Sequence, residues 1–409
     1  MINHIGRLSR RLTSQAGPAG LAGAAGAALL ALLTACAVAP PAAEQAPPEA
    51  SPAAPAAAAG PAPAVAEAPT AAAPPAPLRR PRAHWFATDW DALPGWADDR
   101  AAELWPALRA GCARPAPGWA GVCARAAAFL PPDDGFARDF LQRELQPYRI
   151  ESIEGDARGL ATGYFEPLIN ASRQRKPGFT VAIHMPPADL AQRKPWFSRQ
   201  QIDSLPAAAA ALRGQEIAWV ASPLEVLILQ IQGSGRLRIT EPDGSQRTVR
   251  LAYAGHNDQP YQSVGRWLID QGELRAEGAS WPAIRDWGRR ATPARLQQMM
   301  WSNPRVVFFR EEPLPEPAPG PRGAQGVPLT PGRSVAVDPL AVPYGTPLWL
   351  DTTEPLSATP LRRLVMAQDT GSAIIGAVRV DYFWGLGENA EQQAGRMKQP
   401  LRVWALWPR

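Results

Sequence analysis

Histidine and cysteine are scarce in this chain of 409 residues, with four of the first and three of the second. His84, His184 and His256 stand apart, and no pair of cysteines or histidines has the spacing of a zinc site. Neither a metal nor another cofactor is therefore expected. The formal net charge is only +5. It is spread as arginines among acids with no block of one sign, which argues against a nucleic-acid partner. No apolar run is long enough for a good membrane span, and no fixed period marks a repeat protein. The chain is still large enough for two ordinary domains.

What is present begins with an address. Arg7, Arg10 and Arg11 form a positive start, residues 20–33 are an Ala/Gly/Leu run, and Leu33-Thr34-Ala35-Cys36 follows. Together they define a secretory signal over residues 1–36. The cysteine at the cleavage point resembles a bacterial lipobox, so Cys36 is the expected lipid-modified N-terminus. With Ala37 after it rather than Asp, the resemblance implies a periplasmic protein on an outer-membrane lipid anchor. Residues 37–83 are nearly all Ala, Pro and Glu. Such a stretch cannot bury enough apolar surface to order itself, and is expected as a disordered tether. Two cysteines remain, Cys112 and Cys123. In an exported protein they read as a disulfide, worth roughly 3 kcal/mol for so short a loop, or else as two buried thiols.

The ordered chain is expected from His84 onward. Residues 98–110 are patterned as a helix that Pro106 would kink, and Asp133 or Asp134 caps a second through Leu141. Residues 224–240 are rich in Val, Leu and Ile and read as strands. Gln230 and Gln232, two apart, would then share a face. Asp243-Gly244 is a hairpin turn into residues 246–253. Three helices follow: residues 260–270, one capped by Ser280, and one opened by Thr292-Pro293. The last hundred residues return to short strands at 305–310, 334–337, 346–350, 361–367, 377–382 and 401–406. Many short strands with Gly/Pro turns favour a closed barrel.

Three segments near the C-terminus carry the chemistry. They are Ser334-Val335-Ala336-Val337-Asp338-Pro339, Ala367-Gln368-Asp369-Thr370-Gly371-Ser372-Ala373-Ile374 and Arg379-Val380-Asp381-Tyr382-Phe383-Trp384-Gly385. Each holds an aspartate on or beside a β-like stretch, able to project into a cleft. Asp338 reads as a turn cap, and Asp369 equally as a cap or a site residue. Asp381 lies within a strand among aromatics, where the neutral carboxyl that a general acid needs is favoured. These segments resemble the 3D domain, named for its three aspartates. Further stretches are Gly163-Tyr164-Phe165-Glu166-Pro167, Leu229-Gln230-Ile231-Gln232-Gly233-Ser234-Gly235-Arg236 and Tyr253-Ala254-Gly255-His256-Asn257. Tyr261-Gln262-Ser263-Val264-Gly265-Arg266 and Asn303-Pro304-Arg305-Val306-Val307-Phe308-Phe309 complete the set. In this order the chain, from about Trp85 to its end, is similar to the membrane-bound lytic murein transglycosylase A family.

The resemblance implies a mainly β protein: a double-psi β-barrel from residues 84–184 and 311–409, an inserted smaller barrel-like domain at 185–310, and a few helices. It implies that Asp381 is the catalytic acid, with Asp369 a supporting carboxylate, and that peptidoglycan glycan strands are the substrate. Proteins of cell-wall synthesis or hydrolysis become candidate partners. The chain departs from the family in having Ser372 after Gly371, where a second glycine is common. Gln230, Gln232, Ser234 and Arg236 could bond sugar or peptide stem, or form a polar barrel face. Tyr164, Tyr253, Trp301 and Trp384 could stack on sugars or pack in the core. Glu166 and Asp258 are expected at the surface or in turns. The competing reading is a non-catalytic peptidoglycan-binding or expansin-like wall-loosening lipoprotein, because fold alone does not fix activity.

Overall fold

Alternating apolar and polar residues build two sheets along residues 76–315 and 318–409, the parts that this computed structural model describes. The signal segment, Cys36 and the tether up to residue 75 lie outside the described residues. Four strands come first: β1 (Leu78–Arg80), β2 (Ala83–Ala87), β3 (Leu145–Glu151) and β4 (Gly159–Glu166). A second sheet then takes β5 (Leu168–Ser172), β6 (Val181–His184), β7 (Glu216–Val220), β8 (Gly235–Thr240), β9 (Gln246–His256) and β10 (Val307–Glu312). The chain returns to the first sheet with β11 (Ser334–Val337), β12 (Pro347–Thr353), β13 (Pro360–Asp369), β14 (Arg379–Leu386) and β15 (Lys398–Pro408).

The first sheet runs β1-β2-β3-β15-β12-β13-β11-β14-β4, and β15 also pairs with β4. That last pairing closes six strands into a barrel. Pairs β11–β13 and β14–β4 are parallel and the rest of the ring is antiparallel. Parallel neighbours cannot be joined by a tight hairpin, so β12 intervenes between β11 and β13, and the second sheet between β4 and β14. Val335, Val337, Val365, Ala367, Val380, Tyr382 and Val403 fill its interior. The alternate residues Trp349, Leu364, Met366, Trp404 and Leu406 point out into a helical layer with Trp105, Leu108, Trp119 and Phe140. Each such side chain contributes about 1.5–3 kcal/mol on full burial. Helices Trp105–Cys112 and Ala120–Ala127 belong to this layer, and a disulfide joins Cys112 to Cys123 with Cα atoms 5.3 Å apart. Pro106 sits in the first turn of its helix, where its missing N–H costs nothing, so no kink forms. The expected earlier part of that helix is instead two 3₁₀ turns, Trp96–Asp98 and Ala101–Leu104.

The second sheet has the order β10-β9-β8-β5-β7-β6 and packs Ile169, Ile183, Val220, Leu237, Leu251 and Phe309 in one core. The domain boundary expected between residues 184 and 185 cuts through this sheet, because β5 pairs with β8 and β6 with β7. The sheet begins at Leu168, straight after β4. Similarly, β1 lies inside the stretch expected as tether, since residues 78–80 pair with β2. The apolar run expected as a strand at 224–232 is a helix, Pro223–Gln232. Ser222 and Glu225 form its reciprocal cap and Gly233 ends it at φ 78°. Helices Val264–Asp270, Trp281–Arg290 and Pro293–Ser302 follow, capped by Ser263, Ser280 and Thr292. Among the described residues, no helix is long and apolar enough to cross a membrane.

One late element joins the two cores. Helix Glu388–Ala394 follows β14, yet its Ala390 and Ala394 pack into the second core. Trp384 touches both cores. Gly163 lets β4 approach this joint: a Cβ there would lie 2.6 Å from Trp384 Nε1 and 2.9 Å from Ala394 Cα.

Candidate active site

The outward face of β11, β14 and β4 does not lie under the helical layer. Ala336 on β11 pairs with Asp381 on one side and Asp369 on the other, and Asp381 pairs in turn with Thr162 on β4. Two carboxyls and a hydroxyl thus lie in one row across four strands. Neighbouring strands are about 4.8 Å apart, so the Asp369 and Asp381 backbones are about 10 Å apart. The small side chain of Ala336 stands between them.

Each carboxyl has its own partners. Thr162 Oγ1 donates to Asp381 Oδ1. Tyr164 Oη donates to Asp369 Oδ2 at 3.0 Å, and the Ala324 N–H donates to Oδ1 at 2.9 Å. Both aspartates are enclosed by protein but keep some solvent contact. Burial pushes Asp381 above the ordinary carboxylate range, against the Thr162 bond and the Arg379 charge, which pull it down. Asp369 is raised to about 6, first by burial. The N–H groups of Thr370 and Ala324 and the Tyr164 hydroxyl oppose this rise, and the Asp381 charge adds to it. Two neighbouring carboxyls with raised pKa values are the usual means of keeping an acid protonated near neutral pH.

The second sheet's domain also reaches this row. Burial lifts the Tyr261 phenol above its usual pKa, a Ser263 bond opposes that, and the Asp381 charge lifts it further. Tyr261, in the segment between β9 and helix Val264–Asp270, is therefore close enough to feel the acid.

The residues expected to bind substrate separate into groups. Tyr164 is buried against Phe383, with ring centroids 5.1 Å apart, and its hydroxyl is engaged by Asp369. It holds a carboxyl and presents no open ring face. Gln230 and Gln232 do not share a face, because they lie on a helix. Gln230 bonds Arg199 and the Val307 carbonyl, while Gln232 accepts from the Phe165 N–H. Arg236 pairs with Glu166 at 2.9 Å. Glu166 is not a surface or turn residue: it is 1% exposed and also pairs with Arg250 at 2.8 Å. Ser234 is half-buried and Tyr253 is 46% exposed, so both remain open to a ligand. Trp384 is half-buried against Tyr382. Trp301 donates its Nε1–H to Asp203. Asp338 caps the turn after β11 by accepting from Leu340 N, and it also accepts from Gly376 N and pairs with the distant Arg82.

Sequence reasoning passed over Thr162, Arg379 and Tyr261. Arg379 and Asp381 are two apart on a strand and so share a face, a signal that was available. The pairing of Thr162 with Asp381 spans 219 residues, and no local pattern reveals it.

Residues 160–310 match the family of the MltA specific insert domain, and residues 333–407 match the 3D domain. Membrane-bound lytic murein transglycosylase A of Escherichia coli (strain K12) is 33% identical over 279 residues, covering 66% of this chain and 72% of that protein. The solved lytic transglycosylase LtgG of Burkholderia pseudomallei is 44% identical with a TM-score of 0.56, covering 79% of this chain and 95% of its own. The structure of MltA from E. coli with bound chitohexaose is 29% identical with a TM-score of 0.63, covering 82% and 95%.

Proposed function

This chain belongs to the membrane-bound lytic murein transglycosylase A family, and from that premise we propose that Asp381 serves as both acid and base in cleaving peptidoglycan. The chain is a peptidoglycan lytic transglycosylase. The bond cut is the β-1,4 link from N-acetylmuramic acid to N-acetylglucosamine. Protonated Asp381 donates to the glycosidic oxygen as the bond from C1 breaks. The resulting carboxylate takes the proton of the muramic C6 hydroxyl while O6 closes onto C1. The product ends in a 1,6-anhydro ring and no water is consumed. Holding O6 on the same sugar gives the attack a large effective molarity.

The observation that carries this reading is the enclosed Asp381, held above the usual carboxylate range in a row with Thr162 and Asp369 across the barrel wall. Asp369 supplies a second charge across Ala336, which favours the cationic sugar at C1. Ser234, Tyr253 and Trp384 are the expected groove contacts. The relative solved with bound chitohexaose supports a glycan strand as the occupant. Cys36 is the proposed lipid anchor in the outer membrane, with residues 37–75 as the spacer that lets the enzyme reach the wall.

A second carboxyl beside the acid is also what a hydrolase needs to activate a water. Product chemistry therefore decides. Purified sacculi digested with this protein should release muropeptides with anhydro ends by mass analysis. Reducing ends would make Asp369 a water-activating base, and no release would leave a wall-binding protein.

A further inference from the structure

We infer that Thr162 and Arg379 form a positioning pair that fixes the Asp381 carboxyl, so that the oxygen not bonded to Thr162 carries and delivers the proton. This rests on the reading of Asp381 as the acid. Arg379 and Asp381 lie two apart on β14, and Thr162 is Asp381's register partner on β4. All three side chains therefore leave the same face of the barrel wall.

The direction of each hydrogen bond follows from the chemistry. Arg379 Nη2 lies 2.9 Å from Thr162 Oγ1. A guanidinium can only donate, so the threonine oxygen must accept from it. The single hydroxyl hydrogen of Thr162 is then left for Asp381 Oδ1, where the structure directs it. With Oδ1 already accepting, the acid's own proton belongs on Oδ2. Arg379 occupies one of the two lone pairs of the threonine oxygen, which favours the rotamer whose hydroxyl hydrogen is directed at Asp381. Its Nη1 donates to the carbonyls of Val380 at 2.7 Å and Leu160 at 3.3 Å, which locks the guanidinium to the backbone of both strands. Arg379 pairs with no carboxylate among the described ion pairs. Its charge reaches Asp381 through Thr162, which tempers the acid without fixing it as an ion.

The groups facing Asp381 are Arg379 on its own strand, Thr162 and Tyr164 on β4, Asp369 on β13, and Tyr261 from the inserted domain. Among them, Thr162 and Arg379 favour the ionised carboxyl. Removing either should make Asp381 hold its proton to higher pH. General-acid catalysis is lost as Asp381 ionises, so the alkaline fall in kcat should then occur at higher pH.

The test is the pH profile of kcat and KM on soluble glycan strands for the Thr162→Val, Thr162→Ser and Arg379→Met variants, with Asp381→Asn beside them. Thr162→Val should lower kcat at the optimum about tenfold or more through misorientation, move the alkaline limb upward and leave KM unchanged. Thr162→Ser should restore the wild-type profile. Arg379→Met should move the limb in the same direction as Thr162→Val, and it carries the test alone if that variant fails to fold. An unmoved limb in folded Thr162→Val or Arg379→Met, whether or not kcat falls, overturns the inference. An active Asp381→Asn would instead overturn the assignment of the acid, so the two failures are distinguishable.

Discussion

Asp369 shows what the site costs the fold. Its carboxyl is raised from 3.8 to about 6, first by burial, with the Asp381 charge adding to the rise. Between those values the folded chain binds a proton that the unfolded chain has released. Stability therefore falls as pH rises through that window, and the full cost is present above it. The upper bound is about 3 kcal/mol, reduced because the residue keeps some solvent contact. Asp369→Asn should raise the melting temperature by about 2–6 °C near pH 7.5, with the gain largely gone near pH 4. A lower melting temperature at both pH values would mean that the carboxylate holds the Ala324 and Tyr164 contacts rather than straining the site.

At the scale of elements, the junction of β4 with the second sheet depends on Glu166. That carboxylate pairs with Arg236 on β8 and Arg250 on β9, and Arg250 also donates to the Pro319 carbonyl on the returning chain. Glu166→Ala would leave two enclosed guanidinium groups without their anion. The expected loss is about 3–5 kcal/mol, read from urea unfolding, and a loss under about 1 kcal/mol would place the pairs in the range of exposed bridges. Here the sequence misled. Glu166 looked like a surface residue because its partners lie 70 and 84 residues away. Local signals were sometimes misweighed as well. The apolar run after Ser222 suggested a strand, but the Ser222-Pro223 start, Glu225 and Gly233 are the marks of a helix, and they prevailed. By contrast, Ser334–Val337 is a strand with the expected bounds, and the five other expected C-terminal runs also form strands. Each run has Gly or Pro within two residues of its expected start, so the turn signals and the tertiary pairing agree.

Over the whole molecule, the barrel's outer face divides into a part sealed by helices and a part that is not. The helical layer seals β12, β13 and β15 with Trp349, Leu364 and Trp404. The face of β11, β14 and β4 keeps Asp381, Thr162 and Arg379 at intermediate exposure. The chain enters the second sheet from β4 and returns before β11, so the inserted domain leaves and rejoins beside that uncovered face. The three aspartate segments were legible in the sequence as strand-borne carboxyls. Their convergence was not, because register between distant strands is a tertiary property.

Digestion of intact sacculi by Asp381→Asn, with sacculus binding measured on the same preparation, tests the central claim most directly. The variant should melt no lower than the wild type and keep wall binding while releasing no anhydro muropeptides. Release at the wild-type rate would contradict the account, since an amide cannot lend a proton to the glycosidic oxygen.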